Sequence, residues 1–434
     1  MKPTTALLIL ATLAGALAVP TDPLYANRKL QRDLGLERIP LSRTPAYVPD
    51  IHKALAKARA KYHPSRSFRS GGSANGNGTV TSTPEDYDNA WLTPVSFGTP
   101  PQVLTLDFDT GSSDTWVFSP EVEPAEDAWG HTVFDPAKSS SFTKLDGYSW
   151  FIAYGDFSSA SGDVGTDVVS IGGVGVKTQA VQLAKRVSHS FAHDKSNNGL
   201  LGLAFDNINT VRPVKQKTFP TNLAGEGTLP SGSQLFTTAL YSTRDAESSF
   251  WTFGYIDDEL VKASGQAIKW TPVAAESGFW QVDLPRITVG GKETVFDAGN
   301  NGIVDSGTTL IIVPTQWLEA FYSAIPGSGK DVDPDSGDVS WWFPNAALDS
   351  LPEFKIEIGG TLWTVQPEDL IYDGRDANST YGALQTIDED TTILGDTFLK
   401  SVYAVWDTEN TRIGFVPKIQ KTQNLKPTGI GGHP

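Results

Sequence analysis

One five-residue pattern, Asp followed by Ser or Thr, then Gly, then two further Ser or Thr residues, occurs twice in this chain. The copies are Asp109-Thr110-Gly111-Ser112-Ser113 and Asp305-Ser306-Gly307-Thr308-Thr309, 196 residues apart, each following an apolar or alternating stretch. From average residue frequencies, two chance matches have odds on the order of 1 in 10,000 or less. A second spacing repeats with the first. Asp109 precedes Gly202 of Gly199-Leu200-Leu201-Gly202-Leu203 by 93 residues, and Asp305 precedes Gly395 of Thr392-Ile393-Leu394-Gly395-Asp396 by 90. The body of the chain therefore reads as a duplication. Two similar lobes about an approximate two-fold axis would bring both Asp turns to their junction, where ligand clefts commonly lie.

A chain of 434 residues exceeds one ordinary core, which also argues for two lobes. Short apolar runs broken by Gly, Thr and Ser, as in 80–109 and 148–176, predict a mostly β fold. The chain has no cysteine, which excludes disulfides, thiolate metal sites and a cysteine nucleophile. Stability must come from a large packed core.

The first eighteen residues hold one basic residue, Lys2, an apolar run from Ala6, and the small-residue pattern Ala16-Leu17-Ala18. This reads as a secretory signal, too short for the roughly 20 residues of a membrane span. With no later apolar stretch of that length, the expected product is secreted and free in solution. Charge is segregated: residues 1–83 carry 12 Lys and Arg against 4 Asp and Glu, whereas the rest carries 22 against 46. A basic segment behind a signal, beside an acidic body, reads as an intramolecular inhibitor held by charge, in preference to a nucleic-acid arm. Within it, 51–62 is rich in helix formers and predicts a short basic helix, and 65–77 reads as an exposed linker. The expected divisions are 1–18 signal, 19–83 basic prosegment, 84–250 first lobe and 251–434 second lobe. Asn77 and Asn378 each open a glycosylation triplet.

Three further stretches extend the pattern: 92–100 (LTPVSFGTP) with 107–118 (DFDTGSSDTWVF), Tyr154-Gly155-Asp156, and 393–399 (ILGDTFL) with 403–407 (YAVWD). Over nearly its whole length the chain resembles the pepsin-like aspartic proteases, most closely the secreted fungal penicillopepsin and aspergillopepsin type. The resemblance implies a bilobal β fold with the cleft between the lobes, and acid hydrolysis of polypeptides by an Asp109–Asp305 dyad. It implies no cofactor and no metal, and a monomer whose own prosegment is its inhibitor. Two carboxyls sharing a site do not both ionise cheaply, so one keeps its proton while the other takes a proton from an attacking water.

Gly111 and Gly307 permit the tight turns. The resemblance places the hydroxyls of Thr110 and Ser306 in a cross-lobe network, and those of Ser112 and Thr308 against the outer carboxylate oxygens, with Thr309 beside them in the substrate cleft. Tyr154, Gly155 and Asp156 fall on the expected flap, where Tyr154 bonds Trp116 and Asp156 favours Lys just before the cleaved bond, within a broad preference for hydrophobic residues. Phe157 stands where many relatives have Gly. Relatives usually carry one disulfide near 345–351 and 379–383, which this chain lacks. Lys57, Lys61 and Tyr62 are candidates for blocking the dyad, since an ammonium between two carboxylates stabilises both charges.

Two other readings fit part of the pattern. Acid glycoside hydrolases also use paired carboxylates, and 12 Trp suit sugar stacking, but nothing in that chemistry requires a duplicated Asp-Ser/Thr-Gly turn. An inactive binding protein on the same fold has no need of two intact Asp turns. His189 and His193 are four apart without a metalloprotease Glu between them, and 327–330 (GSGK) lacks a full phosphate-loop pattern.

Overall fold

The computed structural model describes residues 31, 36–43, 50–62, 91–154, 158–242, 245, 247–333, 337–388 and 390–418. It is a bilobal β fold, and its two halves repeat one strand arrangement around the Asp turns. In the first half, β1 (Gln102–Asp109) runs parallel to β3 (Gly199–Gly202), which runs antiparallel to β2 (Thr115–Phe118). In the second, β4 (Asn301–Val304) runs parallel to β6 (Ile393–Leu394), which runs antiparallel to β5 (Ile311–Ile312). The register places Asp109 opposite Gly202 and Val304, the residue before Asp305, opposite Leu394. The repeated spacing of the sequence is this repeated motif: each carboxylate stands at the end of a strand pinned by its own apolar-Gly segment.

Alternation drives the strands. Along β1, Leu104, Leu106 and Phe108 turn into the core while Val103 faces out, the period-2 pattern of a sheet with one covered face. The longest hairpin joins Ser159–Ile171 to Val174–Val187 through Gly172 and Gly173, whose φ values of 52° and 90° suit a two-residue turn that other residues adopt at a cost. The first half forms an eight-stranded sheet, and β4 to β6 lie in a five-stranded one.

A six-stranded sheet draws on both halves. Its order is Ile39–Pro40, Phe250–Phe253, Leu235–Ala239, Val402–Asp407, Arg412–Pro417 and Lys269–Pro272. Aromatic contacts tie it to both halves: Phe108 meets Trp251 at 5.5 Å between ring centroids, and Trp280 meets Trp406 at 5.3 Å. Such pairs contribute about 0.5–1.5 kcal/mol each beyond the area they bury.

Helix α1 (Ile51–Tyr62) spans the predicted helical run. Asp50 caps it, accepting hydrogen bonds from the N–H groups of His52 (3.0 Å) and Lys53 (3.1 Å). Its apolar residues Ile51, Ala54, Leu55 and Ala58 pack against Leu310, Ile312, Tyr372, Ala383, Ile387 and Ile393 of the second lobe. This seat aims the carboxyl end of α1 at the junction of the lobes. Among the described residues no helix is long and apolar enough to cross a membrane.

Candidate active site

Asp109 and Asp305 meet at the lobe junction, both buried. Each turn folds back on its own carboxylate: Gly111 N donates to Asp109 Oδ1 at 2.8 Å and Gly307 N to Asp305 Oδ1 at 2.9 Å. The approach excludes side chains. A Cβ on Gly111 would stand 2.4 Å from Asp305 Oδ1, and one on Gly307 would stand 2.2 Å from Asp109 Oδ1.

The residues after each Asp lock the lobes together. Thr110 N donates to Ser306 Oγ (3.1 Å) and Ser306 N donates to Thr110 Oγ1 (2.9 Å). The same hydroxyls donate onward across the junction, Thr110 to the Val304 carbonyl (3.2 Å) and Ser306 to the Phe108 carbonyl (2.7 Å). Each hydroxyl accepts and donates once, so the buried network is satisfied and fixes the carboxylates in one geometry. The outer positions are less symmetric. Thr308 Oγ1 donates to Asp305 Oδ2 at 2.5 Å. The Ser112 hydroxyl lies close enough to Asp109 to favour its ionised form, and the Ser112 carbonyl accepts from Ala204 N at 2.9 Å. The Thr309 carbonyl accepts from Thr397 N (3.0 Å) and Oγ1 (2.9 Å).

Lys61 stands between the two carboxylates. Its Nζ lies 2.7 Å from Asp109 Oδ1 and 3.0 and 2.9 Å from the two oxygens of Asp305. The hydroxyl of Tyr62 donates to Asp305 Oδ2 at 2.7 Å, and its ring packs on Phe279. Burial alone would lower the Lys61 pKa, but the two carboxylates outweigh it and raise it. Burial pushes Asp109 up, Lys61 opposes this and the Asp305 charge adds to it, leaving Asp109 above its ordinary value. For Asp305 burial also acts upward, but the Lys61 charge and hydrogen bonds from Thr308, Asp109 and Lys61 win and hold it well below the usual carboxylate range. The hydroxyls of Thr308 and Tyr62 both donate to Asp305 Oδ2.

Lys57 acts on other carboxylates. It lies within electrostatic reach of a second acidic pair, Asp107 and Asp396, one helical turn before Lys61. Asp107 is two residues before Asp109 on β1 and so shares its face. Burial pushes Asp107 up to about 7, with Lys57 opposing and Asp109 adding. Asp396 is raised well above its usual range by burial and then by the charges of Asp107 and Asp305. Its Oδ1 is buried without a hydrogen-bond partner.

Tyr154 is buried and accepts from Trp116 Nε1 at 2.9 Å, at the turn end of the hairpin formed by Thr143–Ala153 and Ser159–Ile171. Gly155, Asp156, Phe157 and Asn77 lie outside the described residues. Asn378 is exposed in the turn between Ile371–Asp376 and Ser379–Gly382. His189 and His193 stack on each other at 3.7 Å on an exposed helical turn.

Sequence reasoning gave no role to Asp107, Asp396, Arg59 or Asp338. The signal for Asp107 was its i, i+2 relation to Asp109, and for Arg59 its place in the basic helix, where its guanidinium pairs with Asp338.

The arrangement defines a class: two pinned carboxylates at the junction of duplicated β lobes. The family model described as eukaryotic aspartyl protease matches residues 90–418, and the chain belongs to that family. It is 38% identical over 362 residues to aspergillopepsin-1 of Aspergillus oryzae, covering 83% of this chain and 87% of that protein. It is 36% identical over 429 residues to penicillopepsin-2 of Penicillium janthinellum, covering 96% and 98%. Among solved structures, the aspartic proteinase from Irpex lacteus matches with a TM-score of 0.62 at 25% identity, over 77% of this chain and 95% of that one. The chain is an aspartic endopeptidase.

Proposed function

We infer that this endopeptidase is a secreted acid protease made as an inactive precursor, with Asp109 and Asp305 as its catalytic pair and Lys61 as the group that blocks them. The observation that carries the reading is the Lys61 ammonium within 3.0 Å of both carboxylates. It fills the place a catalytic water needs. Residues 1–18 act as a signal and 19–83 as the prosegment, followed by lobes at 84–250 and 251–434, with glycans at Asn77 and Asn378.

Once the prosegment leaves, one carboxyl keeps a proton and the other is charged, because two buried like charges in contact do not both ionise cheaply. The charged member takes a proton from a water held between them. The hydroxide so formed attacks the peptide carbonyl carbon, and the protonated member donates a hydrogen bond to the carbonyl oxygen. Collapse of the tetrahedral intermediate delivers a proton to the departing nitrogen and leaves no covalent enzyme adduct. The cross-lobe hydroxyls of Thr110 and Ser306 hold the pair in place through these steps, and the flap at Tyr154, Gly155 and Asp156 covers the substrate backbone. The cleft takes hydrophobic residues beside the cleaved bond, and Asp156 accepts Lys before it.

Acid also explains release. The depressed Asp305 contributes to the closed form above its ordinary pKa of about 3.9 and loses that contribution as pH falls through its folded value. The test is to expose the purified precursor to about pH 3, then follow its amino terminus and its hydrolysis of haemoglobin with and without a statine-type inhibitor. The reading expects a new amino terminus between about 78 and 87, together with inhibitor-sensitive hydrolysis. Hydrolysis by the full-length precursor at neutral pH, or hydrolysis indifferent to the inhibitor, would overturn it.

A further inference from the structure

Helix α1 carries its cations on two sides of its buried stripe. At about 100° per residue, Ile51, Ala54, Leu55 and Ala58 fall in one arc, Lys57 and Lys61 flank it on one side, and Arg59 flanks it on the other. On the Arg59 side the second lobe presents two acceptors to one guanidinium. Arg59 Nε and Nη2 both donate to the carbonyl oxygen of Ile387, at 3.3 Å each, and Nη1 pairs with the carboxylate of Asp338. Three N–H groups of a planar fork thus meet a carbonyl and a carboxylate from separate segments, a geometry that a lysine ammonium does not reproduce. The Arg59 and Asp338 side chains are 23% and 27% exposed, so the contact is largely withdrawn from solvent.

We propose that Asp338 and the Ile387 carbonyl form a guanidinium subsite on the second-lobe wall of the cleft, filled by Arg59 in the closed chain and by an arginine side chain of the polypeptide substrate once α1 has left. The proposal rests on the reading of α1 as a removable blocking segment over a hydrolytic dyad. The one helix that bonds both the dyad and this subsite also covers an apolar floor of Leu310, Ile312 and Ile393. Removal of α1 uncovers that floor and leaves Asp338 and the Ile387 carbonyl facing the space where a substrate chain runs. Two helical positions separate Arg59 from Lys61, and their side chains diverge, which puts the subsite on the order of 15 Å from the dyad. An extended chain covers that span in roughly four to five residues.

The experiment uses the acid-processed enzyme and a set of peptides with one cleavable core. A single arginine is walked through the positions on each side of the scissile bond, with citrulline, its neutral isostere, in the paired peptide. The kcat/KM ratio of arginine to citrulline is measured for the wild type, Asp338→Asn and Asp338→Lys at about pH 5. The ratio is internal to each protein, so a general change in activity cancels. The expected result is a wild-type ratio of about five to ten at a position four or five residues from the cleaved bond, carried by KM, falling to about one in Asp338→Asn and below one in Asp338→Lys. An unchanged ratio in the variants, or an effect limited to the pH at which the precursor processes, would overturn the proposal by assigning the contact to the prosegment alone. Failure of the wild type to cleave even the citrulline peptides would instead overturn the hydrolytic reading beneath it.

Discussion

Replacing Lys61 by methionine keeps most of the side-chain volume and removes the cation from between Asp109 and Asp305. At an effective dielectric constant of about 20, each of its two closest contacts, 2.7 and 2.9 Å, is a gross attraction of about 6 kcal/mol. Desolvation of the buried ammonium offsets much of this, and breaking one side of a buried ion pair typically costs about 3–5 kcal/mol. The dyad has one escape: a carboxyl takes up a proton. For a pair whose second proton leaves near pH 4.7, as in pepsin, that uptake costs about 3 kcal/mol at pH 7 and about 0.4 kcal/mol at pH 5. The penalty on the closed form is therefore about 3 kcal/mol at pH 7 and under about 1 kcal/mol at pH 5. Amide hydrogen exchange of residues 51–62 in the intact precursor reads it directly, in labelling pulses short enough to precede processing. Protection in Lys61→Met should fall about 100-fold at pH 7 and only a few-fold at pH 5. Equal protection in variant and wild type at pH 7, or the same loss at both pH values, would refute the argument that Lys61 holds the segment by charge.

Three other outcomes follow from separate contacts. Burial raises Asp107 to about 7, so its contribution to stability is fullest below about pH 4 and is lost as pH rises through 7. Urea unfolding of Asp107→Asn should therefore lack up to about 3–4 kcal/mol of the wild-type decline between those limits. Thr110→Val removes the acceptor for Ser306 N and the donor to the Val304 carbonyl; with two buried groups left unpaired, it should cost about 2–4 kcal/mol in urea unfolding and lower kcat. Asn345→Ala should cost about 1–3 kcal/mol by the same measurement, because Asn345 Oδ1 accepts from Thr380 Oγ1 at 2.6 Å and its Nδ2 donates to the Ala377 carbonyl. That clamp lies where the resemblance led us to look for a disulfide.

The parts of the site legible in the sequence are those written in local patterns. The Asp-Ser/Thr-Gly turns, their spacing to Gly202 and Gly395, and the helix-forming run 51–62 each carry their own chemistry in a few consecutive residues. The choice between Lys57 and Lys61 was not legible. They share a helix face four residues apart, and only the seat of α1 on Leu310, Ile312 and Ile393 decides which one meets the dyad. Asp107 and Asp396 looked like ordinary residues of strand and loop; their electrostatic coupling arises because opposite lobes bring them together. The same non-locality hid the shared six-stranded sheet, since nothing near Phe250–Phe253 states that it will pair with both Ile39–Pro40 and Leu235–Ala239. Asp338 is 279 residues from Arg59, and no local rule joins them.

The most direct test of the account is the rate of peptide hydrolysis by acid-processed Asp109→Asn and Asp305→Asn proteins beside the wild type, from about pH 2 to 7. Each substitution keeps the turn's size but removes a carboxyl from the pair, so each should lower kcat by about a thousand-fold or more across the range, while the wild type shows acid-limited activity. Activity within about tenfold of the wild type in either variant would contradict the claim that these two carboxyls together activate water.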